Sequence, residues 1–379
     1  MRIGVDIREL AEGSKTGIGR LLLNFLEFAA HNDTENEYLL FANQNTSLPD
    51  LPSRIKTRVI PEFSRIIWDQ IVLPDQIKRE KVDIFYSPYY KGPLFSQAKL
   101  IVTCNDLYFL EKGNNPISAW MRRNYCRLIF KKADRIIAIS QYSKKEALRL
   151  FGFPEGKVEI VYATLDKRFR PLDKTESFNK LNKKFVNLKK DFVLYVGNFN
   201  PHKNVSRIIE AYNLLPGPLK DKYQLVIVGK KEGGYYPLAK LVKNYGLEDK
   251  VVFLELVSED ELVYLYNATT ALILVSLWEG FGLPALEAMA CGAPVVVSNT
   301  TAFPEVVGNA GLYVNPYNIE DILDKLKLLL ENEDLRSDLS QKGLIQSGKF
   351  KCEYSANAIL GIFKELIHSA TPTLCRGRS

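Results

Sequence analysis

Residues 271–275 read Ala-Leu-Ile-Leu-Val, and residues 279–287 read Glu-Gly-Phe-Gly-Leu-Pro-Ala-Leu-Glu. The first run is short and continuously apolar, the pattern of a strand buried on both faces of a parallel sheet. The second predicts a helix over 283–290: Pro284 suits the first helical turn, and Gly292 suits the C-terminal cap. Between strand and helix lies a glycine-bearing loop with a carboxylate at each end. Open backbone N–H groups at a helix start hold anions such as a diphosphate. A carboxylate does not favour that same anion, so Glu279 and Glu287 must face hydroxyl donors. A ligand with an anionic middle and hydroxyl-rich ends is a nucleoside diphosphate sugar.

The same strand-to-helix unit recurs on both sides of this stretch. Strand-like runs at 2–6, 38–42, 58–60, 84–87, 100–103, 135–139 and 158–161 alternate with helical stretches, among them 21–30 and 143–150, the latter capped by Ser140 or Ser143. The segment 166–190 is charged and strand-poor, containing Asp166-Lys-Arg-Phe-Arg-Pro-Leu-Asp-Lys174, and reads as a linker. Alternation restarts at 192–196 and continues at 225–228, 251–254, 271–275, 294–298 and 311–314; Ser258-Glu-Asp-Glu261 is a capping box. This pattern predicts an α/β protein with parallel sheets. Two alternating halves predict two doubly wound domains facing across a cleft, with ligands beyond the carboxyl ends of the strands. The expected divisions are 1–165, the linker 166–190, 191–350, and a C-terminal helix within 351–370, amphipathic over 355–367. Residues 371–379 read as a frayed end without a prenylation signal.

Composition narrows the class. A chain of 379 residues, 46% hydrophobic and 25% charged, is globular and long enough for two or three domains. No stretch approaches the length of a membrane span, and a strand beginning at Arg2 leaves no room for a signal peptide. Five widely spaced cysteines suit reduced thiols in a cytoplasmic protein better than a disulfide framework. His31, His202 and His368 form no metal-ligand spacing and no Asp-x-Asp loop ends a strand, so no obligatory metal is expected. The formal charge of +7 comes without any aromatic RNA-recognition pattern, which argues against nucleic acid. Basic clusters at Lys78-Arg-Glu-Lys81, Arg122-Arg123 and Lys131-Lys132 suit anionic headgroups, giving an expectation of peripheral placement on the inner face of a membrane. Each cluster taken alone is also what a solvated surface looks like.

The Glu-x7-Glu run, followed by Met289-Ala-Cys-Gly-Ala-Pro-Val-Val-Val297, resembles the signature of retaining GT-B glycosyltransferases, and most closely the mannosyl- and rhamnosyl-type enzymes of bacterial surface polysaccharide assembly. The resemblance runs from Arg2 to about Ile367. It implies a GT-B fold of two Rossmann-like domains: an N-terminal one that binds acceptor, and a C-terminal one that binds nucleotide sugar. It also implies that the C-terminal helix packs back on the first domain. Glu279 is implied on donor-sugar hydroxyls and Glu287 on the nucleotide ribose. Phe281, Gly282 and Leu283 of the same loop, with Asn198, complete the implied donor site.

Lys203, in Gly197-Asn-Phe-Asn-Pro-His-Lys-Asn204, stands where the family has a lysine on the donor diphosphate. A lysine there stabilises charge growing on the leaving phosphate, and with helix N-termini it replaces a metal. Asn198 stands where relatives often carry arginine, as does His202. Gly17 and Gly19, in Thr16-Gly-Ile-Gly-Arg20, let backbone approach a ligand in the first strand-to-helix loop, although a plain tight turn has the same pattern. At Thr103-Cys-Asn-Asp-Leu107 relatives carry His-Asp. Asn105 can hydrogen-bond a sugar but cannot serve as an acid or base, and Asp106 either pairs with a base or hydroxyl or caps its loop.

The implied reaction moves a hexose, mannose favoured, from a nucleoside diphosphate sugar (GDP-mannose favoured) to a hydroxyl of a glycan or lipid-linked acceptor. Configuration is retained, and no cofactor beyond the donor is implied. Two alternatives stay open: a sugar-nucleotide epimerase on a similar scaffold, and a catalytically degenerate nucleotide-sugar-binding subunit, toward which Asn105 and Asn198 lean.

Overall fold

The computed structural model describes residues 1–11, 17–111 and 116–368. The expectations for Thr16 and for residues 371–379 lie outside them. Thirteen strands occur among the described residues: β1 (Arg2–Asp6), β2 (Glu37–Ala42), β3 (Lys56–Val59), β4 (Ile84–Ser87), β5 (Lys99–Cys104), β6 (Arg135–Ala138), β7 (Val158–Ile160), β8 (Phe192–Val196), β9 (Gln224–Val228), β10 (Val251–Leu254), β11 (Ala271–Leu274), β12 (Val295–Ser298) and β13 (Gly311–Val314). They build two sheets, ordered β3-β2-β1-β4-β5-β6-β7 and β10-β9-β8-β11-β12-β13. Every pairing between them is parallel. The fold is α/β, with two Rossmann-like units.

Central strands such as β4, β11 and β12 are buried along their whole length. Helices on both faces leave no room for a polar alternation, which is why these strands read as unbroken apolar runs. In β1 a Cβ on Gly4 would come within 2.9 Å of Phe41 and 3.1 Å of Phe85. Glycine at that point lets the neighbouring rings close over the strand.

Strand order reverses beside the first strand of each sheet, between β1 and β4 and between β8 and β11. Loops leaving these neighbours turn to opposite faces and open a crevice beyond the strand ends. Lys203 and Glu279, described below, lie beyond β8 and β11 at the second of these points.

The chain divides into one unit of Met1–Thr164 with the segment from Lys351 onward, and another of Leu165–Phe350. Helix Cys352–His368 is therefore part of the first unit. Its Phe363 meets Phe25 and Tyr86 edge-to-face at 6.1 and 5.9 Å, and Ser355 Oγ donates to Tyr162 O at 2.7 Å.

The linker reading of 166–190 does not hold. Helix Lys174–Asn182 forms within it, capped by Asp173, whose side chain accepts from Glu176 N–H. Leu181 and Phe169 are buried, Phe169 packs on Tyr266 at 5.7 Å, and Leu172 N–H donates to Asn267 Oδ1 at 2.6 Å. A few apolar anchors set among many charges suffice to seat this segment on the second unit, and the charges hide them in the sequence.

Candidate functional site

In the second unit the site is built where β8 and β11 end. After β8 the chain turns through a short 3-10 segment, Pro201–Lys203, and enters helix Val205–Leu214 at Asn204. Asn204 has φ of 61°, a left-handed conformation that asparagine tolerates better than other non-glycine residues. Its buried Nδ2 donates to Val275 O at 3.0 Å and Pro316 O at 2.8 Å. Leu277 N–H donates to His202 O at 2.7 Å. These bonds tie the loop after β8 to the loop after β11.

That tie brings Lys203 to Glu279. Lys203 Nζ donates to Glu279 Oε2 at 2.7 Å, and Ser276 Oγ donates to the same oxygen at 3.4 Å. The two charged side chains are 15% and 16% exposed, accessible but largely shielded from water. An ammonium has three donors and one is committed, so two remain for a ligand. Tyr195 of β8 lies fully buried nearby; burial, and then the Glu279 charge, keep its phenol neutral. His202 adds no cation: burial, aided by Lys203, pushes its imidazole down to about 4.

Four residues beyond Glu279 the helix Leu283–Ala290 begins. Gly282 caps it with φ of 91°, and a Cβ there would stand 2.7 Å from Phe303 Cε1. Backbone conformation and close packing each require glycine. Pro284 supplies no N–H, and Ala285 N–H already bonds Gly282 O at 2.9 Å. The N–H groups of Gly282 and Leu283 are therefore the backbone donors this helix start offers an anion.

Glu287 sits one turn inside the helix, 3% exposed, and Tyr266 OH donates to its Oε2 at 2.9 Å. Sequence reading named Glu287 without the tyrosine that holds it. Phe281 is buried and packs edge-to-face on Phe350 at 5.6 Å, so its ring belongs to the core rather than to a ligand surface. Asn198 Oδ1 accepts Asn200 N–H at 3.1 Å, within its own turn. Asn204, Tyr266 and Ser276 are the residues the sequence left unassigned. Only the left-handed preference of an asparagine before a helix could have flagged one of them.

The remaining expected residues lie in the first unit. Gly17 and Gly19 are inside helix Gly17–Asn32, not in a loop. Ile18 between them lines a small cavity, about 50 Å³, together with Asn105, Pro88 and Tyr162. Asn105 is buried and its Nδ2 donates to Pro88 O at 2.9 Å. Asp106 Oδ1 accepts Tyr108 N–H at 2.8 Å, the loop-capping role. No group of three His, Cys, Asp or Glu side chains able to hold a metal occurs among the described residues.

Comparison with known proteins gives the geometry its context. Residues 176–345 match the model of Glycosyl transferases group 1, and residues 17–168 match that of Glycosyltransferase Family 4. An uncharacterized glycosyltransferase of Methanocaldococcus jannaschii is 31% identical over 303 residues, 75% of this chain and 74% of that protein. The chain belongs to the GT-B glycosyltransferases. This glycosyltransferase is also 32% identical to O-antigen chain mannosyltransferase B of Escherichia coli over 62% of its own length, and 31% identical to the serotype-specific mannosyltransferase WbdA of the same species over 73%. It spans 61% of the first relative and 34% of the second. Among solved structures, sucrose-phosphate synthase of Thermosynechococcus elongatus shares the fold with a TM-score of 0.79 at 19% identity, covering 97% of this chain and 100% of that one. Anabaena HepE in complex with UDP and glucose does so with a TM-score of 0.77 at 19% identity, covering 96% and 99%.

Proposed function

We propose that this glycosyltransferase moves a hexose, mannose favoured, from a nucleoside diphosphate sugar to a hydroxyl of a glycan or lipid-linked acceptor in surface polysaccharide assembly, with retention at the anomeric carbon. One observation carries the reading. An ammonium, Lys203, that has one donor committed among the described residues is held by a carboxylate, Glu279, four residues before a helix start with two open N–H groups, at the reversal point of the second sheet. The diphosphate lies against the N–H groups and the ammonium; Glu279 and Glu287 take hydroxyls of the sugar and the ribose. GDP-mannose is the favoured donor because relatives bear the name mannosyltransferase. No further cofactor is needed, since Lys203 and the helix start supply the counter-charge.

Glu279 is committed to an ammonium and Glu287 to a phenol, which supports holding roles rather than attack on the anomeric carbon. Asn105 cannot accept the acceptor proton as a base. The step is front-face: the bond from the anomeric carbon to phosphate oxygen breaks and its electron pair stays on phosphate. The acceptor oxygen bonds to the same face, and its proton passes to the departing phosphate. The protein contributes orientation and electrostatic stabilisation.

A cytoplasmic protein peripheral to the inner membrane face completes the reading. Helix Pro116–Lys132 carries five basic and no acidic residues. It exposes Ile117, Trp120, Met121 and Leu128, spaced to share one face, and an apolar stripe bordered by cations suits an anionic bilayer surface. No helix among the described residues is long and apolar enough to cross a membrane.

Thermal-shift titration with GDP, UDP and dTDP tests the donor site. A selective ligand at one hundred times its Kd stabilises the native state by about 2.7 kcal/mol. Glu287→Ala is expected to weaken nucleotide binding, Lys203→Ala to slow sugar transfer, and Glu279→Gln to depress turnover with little change in nucleotide affinity. Wild-type behaviour of both Glu287→Ala and Lys203→Ala overturns the assignment.

A further inference from the structure

The second unit begins at Leu165 and ends at Phe350, and these two residues are bonded: Leu165 N–H donates to Phe350 O at 3.1 Å. From each end of the unit a short series of buried contacts leads to one of the two carboxylates of the donor site. At the C-terminal end, helix Glu333–Ser347 finishes just before Phe350, whose own N–H donates to Ser347 O at 3.1 Å. The Phe350 ring is buried and meets the Phe281 ring edge-to-face, 5.6 Å apart at 83°. Phe281 stands between Gly280 and Gly282, in the same loop as Glu279. Glycines on both sides leave this backbone a wide range of conformations. A buried aromatic pair narrows that range, and with it the place of the Glu279 carboxylate.

At the N-terminal end the series runs through side chains. Phe169 is buried, and its ring meets that of Tyr266 edge-to-face at 5.7 Å. The chain beside it is bound to the same helix, Glu259–Ala268, where Asn267 accepts from Leu172 N–H and donates to Arg170 O at 3.1 Å. Tyr266 in turn donates its hydroxyl to Glu287 Oε2 at 2.9 Å. The tilt of a tyrosine ring decides where its hydroxyl points. Packing from Phe169 therefore decides where Glu287 is held.

We propose that Phe350 and Phe169 are positioning residues of the donor site, the first setting Glu279 through Phe281 and the second setting Glu287 through Tyr266. The proposal rests on the glycosyl-transfer reading, which gives Glu279 the sugar and Glu287 the ribose. Each ring acts through another side chain rather than on the donor. Because Leu165 and Phe350 are bonded, both carboxylates are set from the junction where the chain enters and leaves the unit.

Calorimetry on the full chain with GDP and GDP-mannose separates the two roles, since both ligands carry the ribose and only the second carries the sugar. Phe350→Leu is expected to weaken GDP-mannose about 3- to 10-fold and GDP by less than about 2-fold. Phe169→Leu is expected to weaken both ligands about 3- to 10-fold, part of what a whole charge-assisted hydrogen bond contributes. Methionine at either position restores an adaptable apolar contact and should recover part of the loss. Each effect should also vanish once its target is gone. Phe169→Leu should add less than about 2-fold to Tyr266→Phe or Glu287→Ala, and Phe350→Leu less than about 2-fold to the GDP-mannose loss of Glu279→Gln. If UDP or dTDP gives the larger thermal shift, UDP with UDP-glucose or dTDP with dTDP-glucose replaces the pair. Equal loss of both ligands in Phe350→Leu, wild-type affinities in both leucine variants, or full additivity with the target variants overturns the proposal. Wild-type binding that the variants leave intact rejects the positioning roles and keeps the donor site. A wild type that binds no nucleotide and no nucleotide sugar rejects the donor site and this proposal with it.

Discussion

Lys203→Met removes an ammonium 2.7 Å from a carboxylate that is 16% exposed, leaving Glu279 with only the long 3.4 Å bond from Ser276. Stranding one partner of a fully buried pair costs about 3–5 kcal/mol, and losing a hydrogen bond to a charged group costs about 1.5–3 kcal/mol. Residual solvent access puts this pair toward the lower figure, so Lys203→Met should lose about 2 kcal/mol of stability. Glu279→Gln keeps an acceptor for the ammonium and should lose about 1 kcal/mol. The double variant strands no charge, so its loss should fall short of the sum by about 1–2 kcal/mol. Urea denaturation of the wild type and three variants gives the cycle, provided the slope m is unchanged.

Nucleotide affinity should carry the same coupling. In Lys203→Met the bare carboxylate faces the diphosphate, so adding Glu279→Gln should recover part of the lost affinity by calorimetry. Stabilities that add within about 0.5 kcal/mol would show the pair to be uncoupled. A double variant that binds diphosphate more weakly than Lys203→Met would refute the placement of Lys203 at the phosphates with Glu279 beside it.

Gly282→Ala forces a left-handed backbone on alanine and drives its Cβ to 2.7 Å from buried Phe303. Strain of about 1–2 kcal/mol and overpacking of about 1–3 kcal/mol together should lower the urea midpoint and weaken nucleotide binding, and an unchanged midpoint would contradict the geometry. For His202 the folded imidazole takes its proton near 4, against an ordinary value of 6.5. Its contribution is therefore fully present above pH 6.5 and lost as pH falls toward 4, by up to about 3 kcal/mol at 1.36 kcal/mol per unit. Denaturation at pH 7 and 4.5 should show His202→Gln losing less stability than the wild type over that interval; parallel losses would refute it. Trp120→Ser together with Ile117→Ser should reduce sedimentation with phosphatidylglycerol vesicles several-fold while leaving the nucleotide thermal shift intact. Equal sedimentation of variant and wild type, or equal binding to purely zwitterionic vesicles, would count against the membrane face.

How much of this could be read in advance differs by element. The strands were legible because a doubly covered parallel sheet demands uninterrupted apolar runs, and Ala271-Leu-Ile-Leu274 is such a run in both sequence and structure. Gly282, Pro284 and Gly292 punctuate one helix through backbone constraints that act within a few residues, so local sequence was enough. The helix Lys174–Asn182 was not legible, since Leu181 gains its meaning only from a surface elsewhere in the unit. Phe281 reads as part of a ligand loop until Phe350, distant in sequence, closes over it.

The sequence by itself determined the repeating strand-helix units, the parallel sheets, and the residue types available at the second sheet's reversal point. Those properties follow from periodicity and backbone stereochemistry, which are local. Tertiary structure alone decided that Lys203 is spent partly on Glu279, that Tyr266 holds Glu287, and that Asn204 ties the loop after β8 to the loop after β11. Each of those depends on which strand ends become neighbours. Strand order is fixed by how the helices cross the sheet, and that information is spread over the whole chain rather than carried by any one stretch.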